Sequence, residues 1–307
     1  IATSSAGQGH QTVIGQMMAD ELEVDLGVIE STYLDSVDAP KDFGAAASRM
    51  GVMLSGATAG LGEQFRDSLE ELAATIWGCD VETVTYANGG VERIDTDDRL
   101  ALSDLALEVE EQADVTGDEL ADLRSVSFDF TNPALRNDDF DEALSSKFPT
   151  YPATAYSADA PIIEVDINTG EVDILKYYSL HDCGTVLNPD VVNGQVEGAI
   201  AHGVGGALLE EFAYDDDGQP LAISLFDYLL PSIKNIQEME LEHRETPSPF
   251  TPRGVKGAGE GGVISASAVI PISISSALEP LDVTVNSVPV TPDKIRTAIR
   301  NADNDES

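Results

Sequence analysis

Basic residues are scarce in this sequence: 16 Lys and Arg stand against 56 Asp and Glu, a formal net charge of −40 over 307 residues. So negative a chain repels phosphate backbones, which argues against nucleic acid as a partner. Cysteine is almost missing. Cys79 and Cys183 are the only two, far apart and without CxxC spacing, so the sequence offers neither a zinc site nor an iron–sulfur cluster. No HxxH pair or carboxylate–histidine cluster would hold a metal by itself. No apolar run reaches the roughly 20 residues a membrane helix needs, and no basic-then-apolar leader opens the chain. A cytoplasmic protein without membrane insertion is expected. The GxxxxGK[ST] phosphate loop is absent, and the glycine turns lack a following acidic ribose anchor, which weakens a mononucleotide-binding α/β reading. No internal repeat stands out.

What is present is a core-forming chain. Hydrophobic residues make up 42% and fall in long periodic segments, which points to a packed protein under an acidic shell and away from disorder. The charge reads as a halophile's surface, because molar salt shortens the screening length to about 3 Å and quenches the self-repulsion. The length suits one large domain or two. Ile1-Ala2-Thr3 reads as an edge of β structure and not as a translation start, so a truncated or split polypeptide is expected.

Three glycine-bearing stretches carry the chemistry. In Pro252-Arg253-Gly254-Val255-Lys256-Gly257-Ala258-Gly259-Glu260-Gly261-Gly262, a single carboxylate is set among residues that let a backbone approach a ligand without a Cβ in the way. Taken alone, Glu260 is equally well an early-turn residue of a helix Ile264–Leu278, favoured there by the helix dipole. In Gly7-Gln8-Gly9-His10, a turn leads into an amphipathic helix, Val13–Leu22, whose orphan N–H groups make a natural seat for a phosphate or a polar ring edge. In His181-Asp182-Cys183-Gly184, followed by Asn188-Pro189 and Asn193-Gly194-Gln195, a strand gives way to a helix. Gly194, Gly198, Gly203, Gly205 and Gly206 cost that helix about 1 kcal/mol each relative to Ala, so close packing against a cofactor or a neighbouring helix is expected.

This trio, in this order, resembles the molybdenum-binding large subunit of the xanthine dehydrogenase, aldehyde oxidase and carbon monoxide dehydrogenase family. The resemblance runs from Gly7 to about Ile295 and covers only the C-terminal part of such a subunit. It implies an α+β, two-lobed region that binds a molybdenum pyranopterin cofactor, the cytosine dinucleotide form being one option. It implies cofactor contacts from Gly7, Gln8, Gly9, His10, Gln195, Gly257 and Gly259, and from Ser48 and Arg49 at the start of a long helix, where Arg49 is otherwise a surface residue pairing with the acidic shell. Ser55 stands where relatives usually carry glycine. The implied reaction is hydroxylation with water as oxygen source, with Glu260 as general base and two electrons leaving to an iron–sulfur subunit and an FAD subunit. The implied substrate is small: an aldehyde, carbon monoxide or a heterocycle. Glu260-Gly261-Gly262 looks closer to the prokaryotic carbon monoxide and aldehyde branch than to the purine branch. An N-terminal part of the subunit is an expected partner, without which the chain is expected to be inactive. The rival reading is a noncatalytic, truncated cofactor-binding or assembly module.

Coarser expectations complete the reading. Lobes are expected at 1–137 and 138–307, the acidic, poorly periodic stretch 125–137 marking the boundary. A strand is expected at Val24–Glu30, a helix at Leu61–Trp77, a hairpin at Val81–Ile94 around Asn88-Gly89-Gly90, and short helices at Leu102–Leu107 and Asp118–Arg124. Strands follow at Ala153–Tyr156, Pro161–Ile167 and Val172–His181, with one buried face. His10 and His202 sit beside glycines with no nucleophile to serve, and no catalytic role is expected of either. The resemblance makes His181-Asp182-Cys183 structural, with Cys183 a small buried residue, and Lys256 reads as a surface lysine or a modulator of Glu260.

Overall fold

A computed structural model describes residues 2–35, 37–39, 44–116, 125–130, 154–236 and 238–305. The chain divides into two units: Ile1–Pro152 with Pro249–Val255, and Ala153–Ser248 with Lys256–Ser307. The boundary expected at 137/138 falls outside the described residues, as does the helix expected at Asp118–Arg124.

The first unit begins with α1 (His10–Glu21) and α2 (Met50–Trp77). The strand expected at Val24–Glu30 is not there; Leu26–Val28 is instead a 3₁₀ turn, capped by Asp25, whose carboxylate accepts from Gly27 N–H. A local side-chain acceptor has overridden the apolar run. β1 (Val84–Ala87), β2 (Gly90–Arg93) and β3 (Arg99–Ala101) form an antiparallel sheet in the order β1-β2-β3. Its first two strands are the expected hairpin, turned by Asn88 and Gly89 at positive φ. α3 (Leu102–Thr116) runs well beyond the expected Leu107. Leu69, Leu72 and Ala73 of α2, Val84, Val91, and Leu105 and Val109 of α3 close the core of this unit. Along α2, a Cβ at Gly60 would overlap the ring of Phe128, and one at Gly56 the ring of Phe130, so the helix's glycines are seats for the 125–130 segment.

The second unit is a three-stranded sheet under helices. β4 (Tyr156–Val165) is one strand where two were expected, and it pairs antiparallel with β5 (Val172–Asp182). A register shift at Ile162/Ile163 leaves the two expected apolar stretches in a single ladder. β6 (Met239–His243) adds parallel to β5. The turn between β4 and β5 needs its glycine: Gly170 has φ +82°, and a Cβ there would lie 2.9 Å from the carbonyl carbon of Pro292. α4 (Pro189–Leu208), α5 (Gly261–Ala277) and α6 (Pro292–Asp305) complete the unit. Val192, Val196, Ile200 and Val204 of α4 meet Ala266, Ile270 and Ile274 of α5, with Ile295 and Ile299 of α6 closing the same core. This i, i+4 stripe is the ordinary apolar face of a packed helix. Two glycines let α4 and α5 touch closely: a Cβ at Gly203 would lie 3.1 Å from Val263 O, and one at Gly262 would lie 2.7 Å from Val196 O.

Candidate functional site

In the first unit the site is built from two helix beginnings. Gly9 at φ +69° is the N-cap of α1 and makes no side-chain cap; Arg49 is the N-cap of α2 and makes none either. Both helices therefore keep orphan N–H groups at their positive ends. The two helices pack on each other. Thr58 donates to the Met17 sulfur at 3.6 Å, an offset of 41 residues, and the same offset recurs where a Cβ at Gly62 would lie 2.8 Å from Glu21 Cβ. Both contacts fall in the C-terminal half of α1, so α1 packs along the middle of α2.

The loops leading into these ends are conformationally unusual. Gly7 has φ +107° and open space where a Cβ would stand. Ala47 and Ser48 are left-handed at φ +51° and +54°, which for residues with a Cβ costs about 1–2 kcal/mol each. Gln8 turns its Oε1 back on its own loop, accepting from Ala6 N–H at 2.5 Å and from Ser5 Oγ at 3.1 Å; no hydrogen bond among the described residues engages its NH2. His10 is 5% exposed with no hydrogen-bond partner on Nδ1, and burial lowers its pKa, so it is neutral at pH 7. Arg49 donates through Nε to Gly44 O at 3.1 Å. Ser55, the departure from glycine, is buried and donates to Pro252 O at 3.1 Å, so its hydroxyl fastens the returning 249–255 strap. Arg253 fastens the same strap, at φ +56°, by bonds to Glu21 Oε1 at 2.6 Å and Met17 O at 3.2 Å.

In the second unit, β5, α4 and the loop before α5 hold the remaining candidates. Asn188 caps α4 by accepting from Val191 N–H at 3.0 Å, with Pro189 in the first turn, so this N-terminus is closed by the protein itself. Gln195 is half-buried one turn further on. The positions before and after it, Gly194 and Gly198, have nothing within 4 Å of where a Cβ would be. Gly194 and Gly198, four residues apart, leave a bare, exposed strip of helix backbone beside Gln195, whereas Gly203 is a helix-packing glycine. Cys183 is buried, and burial pushes its thiol up to about 11. That removes it as a nucleophile.

Lys256 is not a surface lysine. Its side chain is 9% exposed and ion-paired at 3.3 Å with Asp182, itself 12% exposed, and it donates to Thr246 Oγ1 at 2.7 Å. Its backbone N–H donates to Cys183 O at 2.7 Å. Gly257 and Gly259 lie in the loop that follows, and Glu260, exposed, is the N-cap of α5 and makes no side-chain cap. The helix begins at Gly261, three residues before the expected start. Because Gly262 packs on Val196 and Ile200, the structure brings the Glu260 turn and the Gln195 turn of α4 together. Gly7, Gln8, Gly9, His10, Ser48 and Arg49 belong to the first unit and Gln195, Gly257, Gly259 and Glu260 to the second. His202 is exposed on α4. The Lys256–Asp182 pair and the left-handed Ala47-Ser48 turn carried no signal in the sequence beyond their residue types.

A family model described as the molybdopterin cofactor-binding domain matches residues 1–237. The chain is 31% identical over 298 residues to the nicotine 6-hydroxylase large subunit of Paenarthrobacter nicotinovorans, covering 97% of this chain and 34% of that protein. It is 26% identical over 304 residues to the carbon monoxide dehydrogenase large chain of Hydrogenophaga pseudoflava, covering 98% of this chain and 35% of that one. Among solved structures, quinoline 2-oxidoreductase of Pseudomonas putida 86 matches with a TM-score of 0.77 at 30% identity, over 97% of this chain and 36% of that one. The chain thus spans about a third of the length of the relatives it matches. No helix among the described residues is long and apolar enough to cross a membrane.

Proposed function

From the chain's membership of the molybdopterin cofactor-binding domain family, we propose that it is the cofactor-holding part of a molybdenum hydroxylase large subunit, with Glu260 as the general base. When bound, the molybdenum pyranopterin group, in its mononucleotide or cytosine dinucleotide form, supplies the oxygen-transfer and two-electron chemistry. The residues present suit such a group. The uncapped starts of α1 and α2 each offer backbone N–H donors and a positive dipole end to a phosphate, with the Arg49 guanidinium at the second of them. These uncapped starts in a chain of this family are the observation that carries the reading. The free NH2 of Gln8 and the unpartnered Nδ1 of the buried, neutral His10 suit carbonyl and amide edges of a pterin. In the second unit, Gln195 beside its two bare glycines gives a further amide contact, and Glu260 stands at the neighbouring helix start, where it makes no side-chain cap.

The reading extends to what the chain works with. An N-terminal part of the subunit, an iron–sulfur subunit and an FAD subunit are its proposed partners, in keeping with a relative described as the gamma subunit of a dehydrogenase complex. The substrate is a small aldehyde, carbon monoxide or heterocycle, the last in keeping with the nicotine and quinoline relatives. Gln195→Ala, made in the assembled enzyme, is expected to lower molybdenum content while leaving turnover per bound molybdenum near wild type. Full molybdenum content in that variant would remove Gln195 from the cofactor's contacts.

A cytoplasmic, halophilic setting is part of the same proposal, motivated by the charge of −40. Like charges repel over a distance set by ionic strength, so thermal unfolding is expected to move upward between dilute buffer and molar salt. An unchanged midpoint would dismiss the halophilic setting.

A further inference from the structure

The tip of β5 holds both ends of the loop that carries Glu260. At the loop's beginning, Asp182 binds the Lys256 ammonium and Cys183 O accepts from the Lys256 N–H. At its end stands His181, the residue before Asp182. Its ring is 1% exposed and lies against the Cα of Gly261: a Cβ there would overlap His181 Nε2 and come within 2.6 Å of Cδ2. Neither ring nitrogen has a hydrogen-bond partner among the described residues, so the contact with Gly261 is one of packing. Ser157, opposite His181 in the β4–β5 register, donates to Gly261 O at 3.2 Å and to Ser265 Oγ at 3.4 Å. The first turn of α5 is therefore held by the sheet from two neighbouring strands.

We propose that His181 is a positioning residue for Glu260, its ring packed on Gly261 so as to fix the first turn of α5 and the carboxylate that precedes it. Nothing on α5 itself does this. Gly261–Ala277 carries no charged or titratable side chain. The proposal rests on the assignment of Glu260 as base, and it gives Gly261 a physical requirement: the φ of this glycine is not positive, so the ring, and not the backbone conformation, is what excludes a larger residue.

That requirement sets a test with a change of sign. Gly261→Ala in the wild-type chain must push the ring or the helix start aside, and the Tm falls. In a His181→Ala background the space is open, and the same substitution only removes backbone freedom from the unfolded chain, so the Tm is unchanged or rises. Should His181→Ala not fold, His181→Ser provides the same space with a small polar side chain. Equal shifts in both backgrounds would show that the ring does not hold the turn. In the assembled enzyme, His181→Ala is expected to lower kcat about tenfold to a hundredfold, the cost of a misplaced group, with KM and molybdenum content unchanged. In a Glu260→Gln background it should lower kcat no further. Coupling in Tm together with an unchanged kcat would reduce His181 to a packing residue and overturn the positioning role. The Tm cycle reads the clamp with no activity at all, so a failure of the Glu260 assignment appears separately, as turnover surviving in Glu260→Gln.

Discussion

Glu260→Gln is expected to reduce turnover about 10²–10⁴-fold, the span that general base catalysis typically supplies, while molybdenum content stays at the wild-type level. The amide keeps the size and much of the hydrogen bonding of the carboxylate but cannot accept the proton. Two features of the structure sharpen this expectation. Glu260 makes no side-chain cap on α5, so its replacement removes no helix-stabilising bond of that kind. The groups proposed to hold the pterin, Gln8, His10, Arg49 and Gln195, sit on other elements, so cofactor loading has no reason to follow the mutation. The variant belongs in the assembled enzyme, with molybdenum measured beside dye-reduction rate. A fully loaded Glu260→Gln enzyme turning over near the wild-type rate would leave Glu260 a helix-start residue, and the proposed mechanism would have to be abandoned.

Lys256→Met should destabilise the chain by about 3–5 kcal/mol, the usual result of removing one partner from a buried ion pair and leaving the other charge unpaired. At 9% and 12% exposure the two side chains are shielded enough for that range to apply. Asp182 would keep its bonds from Gly184 N–H and Thr246 but lose its counter-charge. In the wild type, burial alone would raise the Asp182 pKa; hydrogen bonds from the Thr246 hydroxyl, the N–H groups of Gly184 and Thr246, and the Lys256 ammonium outweigh it and hold the pKa below the ordinary value. A carboxylate lowered by folding contributes stability that is present above its unfolded pKa, about 3.9, and is lost as pH falls through the folded one. Urea midpoints between pH 7 and pH 3 should accordingly fall in the wild type, and the part due to Asp182 should vanish in Asp182→Asn. A Lys256→Met midpoint equal to wild type at pH 7 would mean that the pair contributes nothing.

The comparison of sequence with structure divides along a physical line. Features determined by near neighbours were legible. The helix Leu61–Trp77 within α2, the Asn88-Gly89 hairpin and the Asn188-Pro189 helix start all follow from local periodicity, positive φ or a cap acting over three residues. The apolar run Val24–Glu30 misled because one Asp25 side chain offered its backbone a competing acceptor. The three glycine motifs were visible as motifs, yet their glycines were alike on the page. Only neighbours distant in sequence separate Gly203, pressed on α5, from Gly194 and Gly198, open beside Gln195, and from Gly261, lying under a histidine ring.

By itself, then, the sequence determined the acidic surface, the α+β class, the family and the residue types available for chemistry, because charge, periodicity and short motifs are additive along a chain. Tertiary structure alone decided that the 249–255 strap returns to the first unit under Arg253 and Ser55, that α1 packs on α2 through Met17 and Glu21, and that Lys256 is buried against Asp182. Each of these depends on a contact across dozens to hundreds of residues, whose closure is favourable only once the packed core has already ordered both partners.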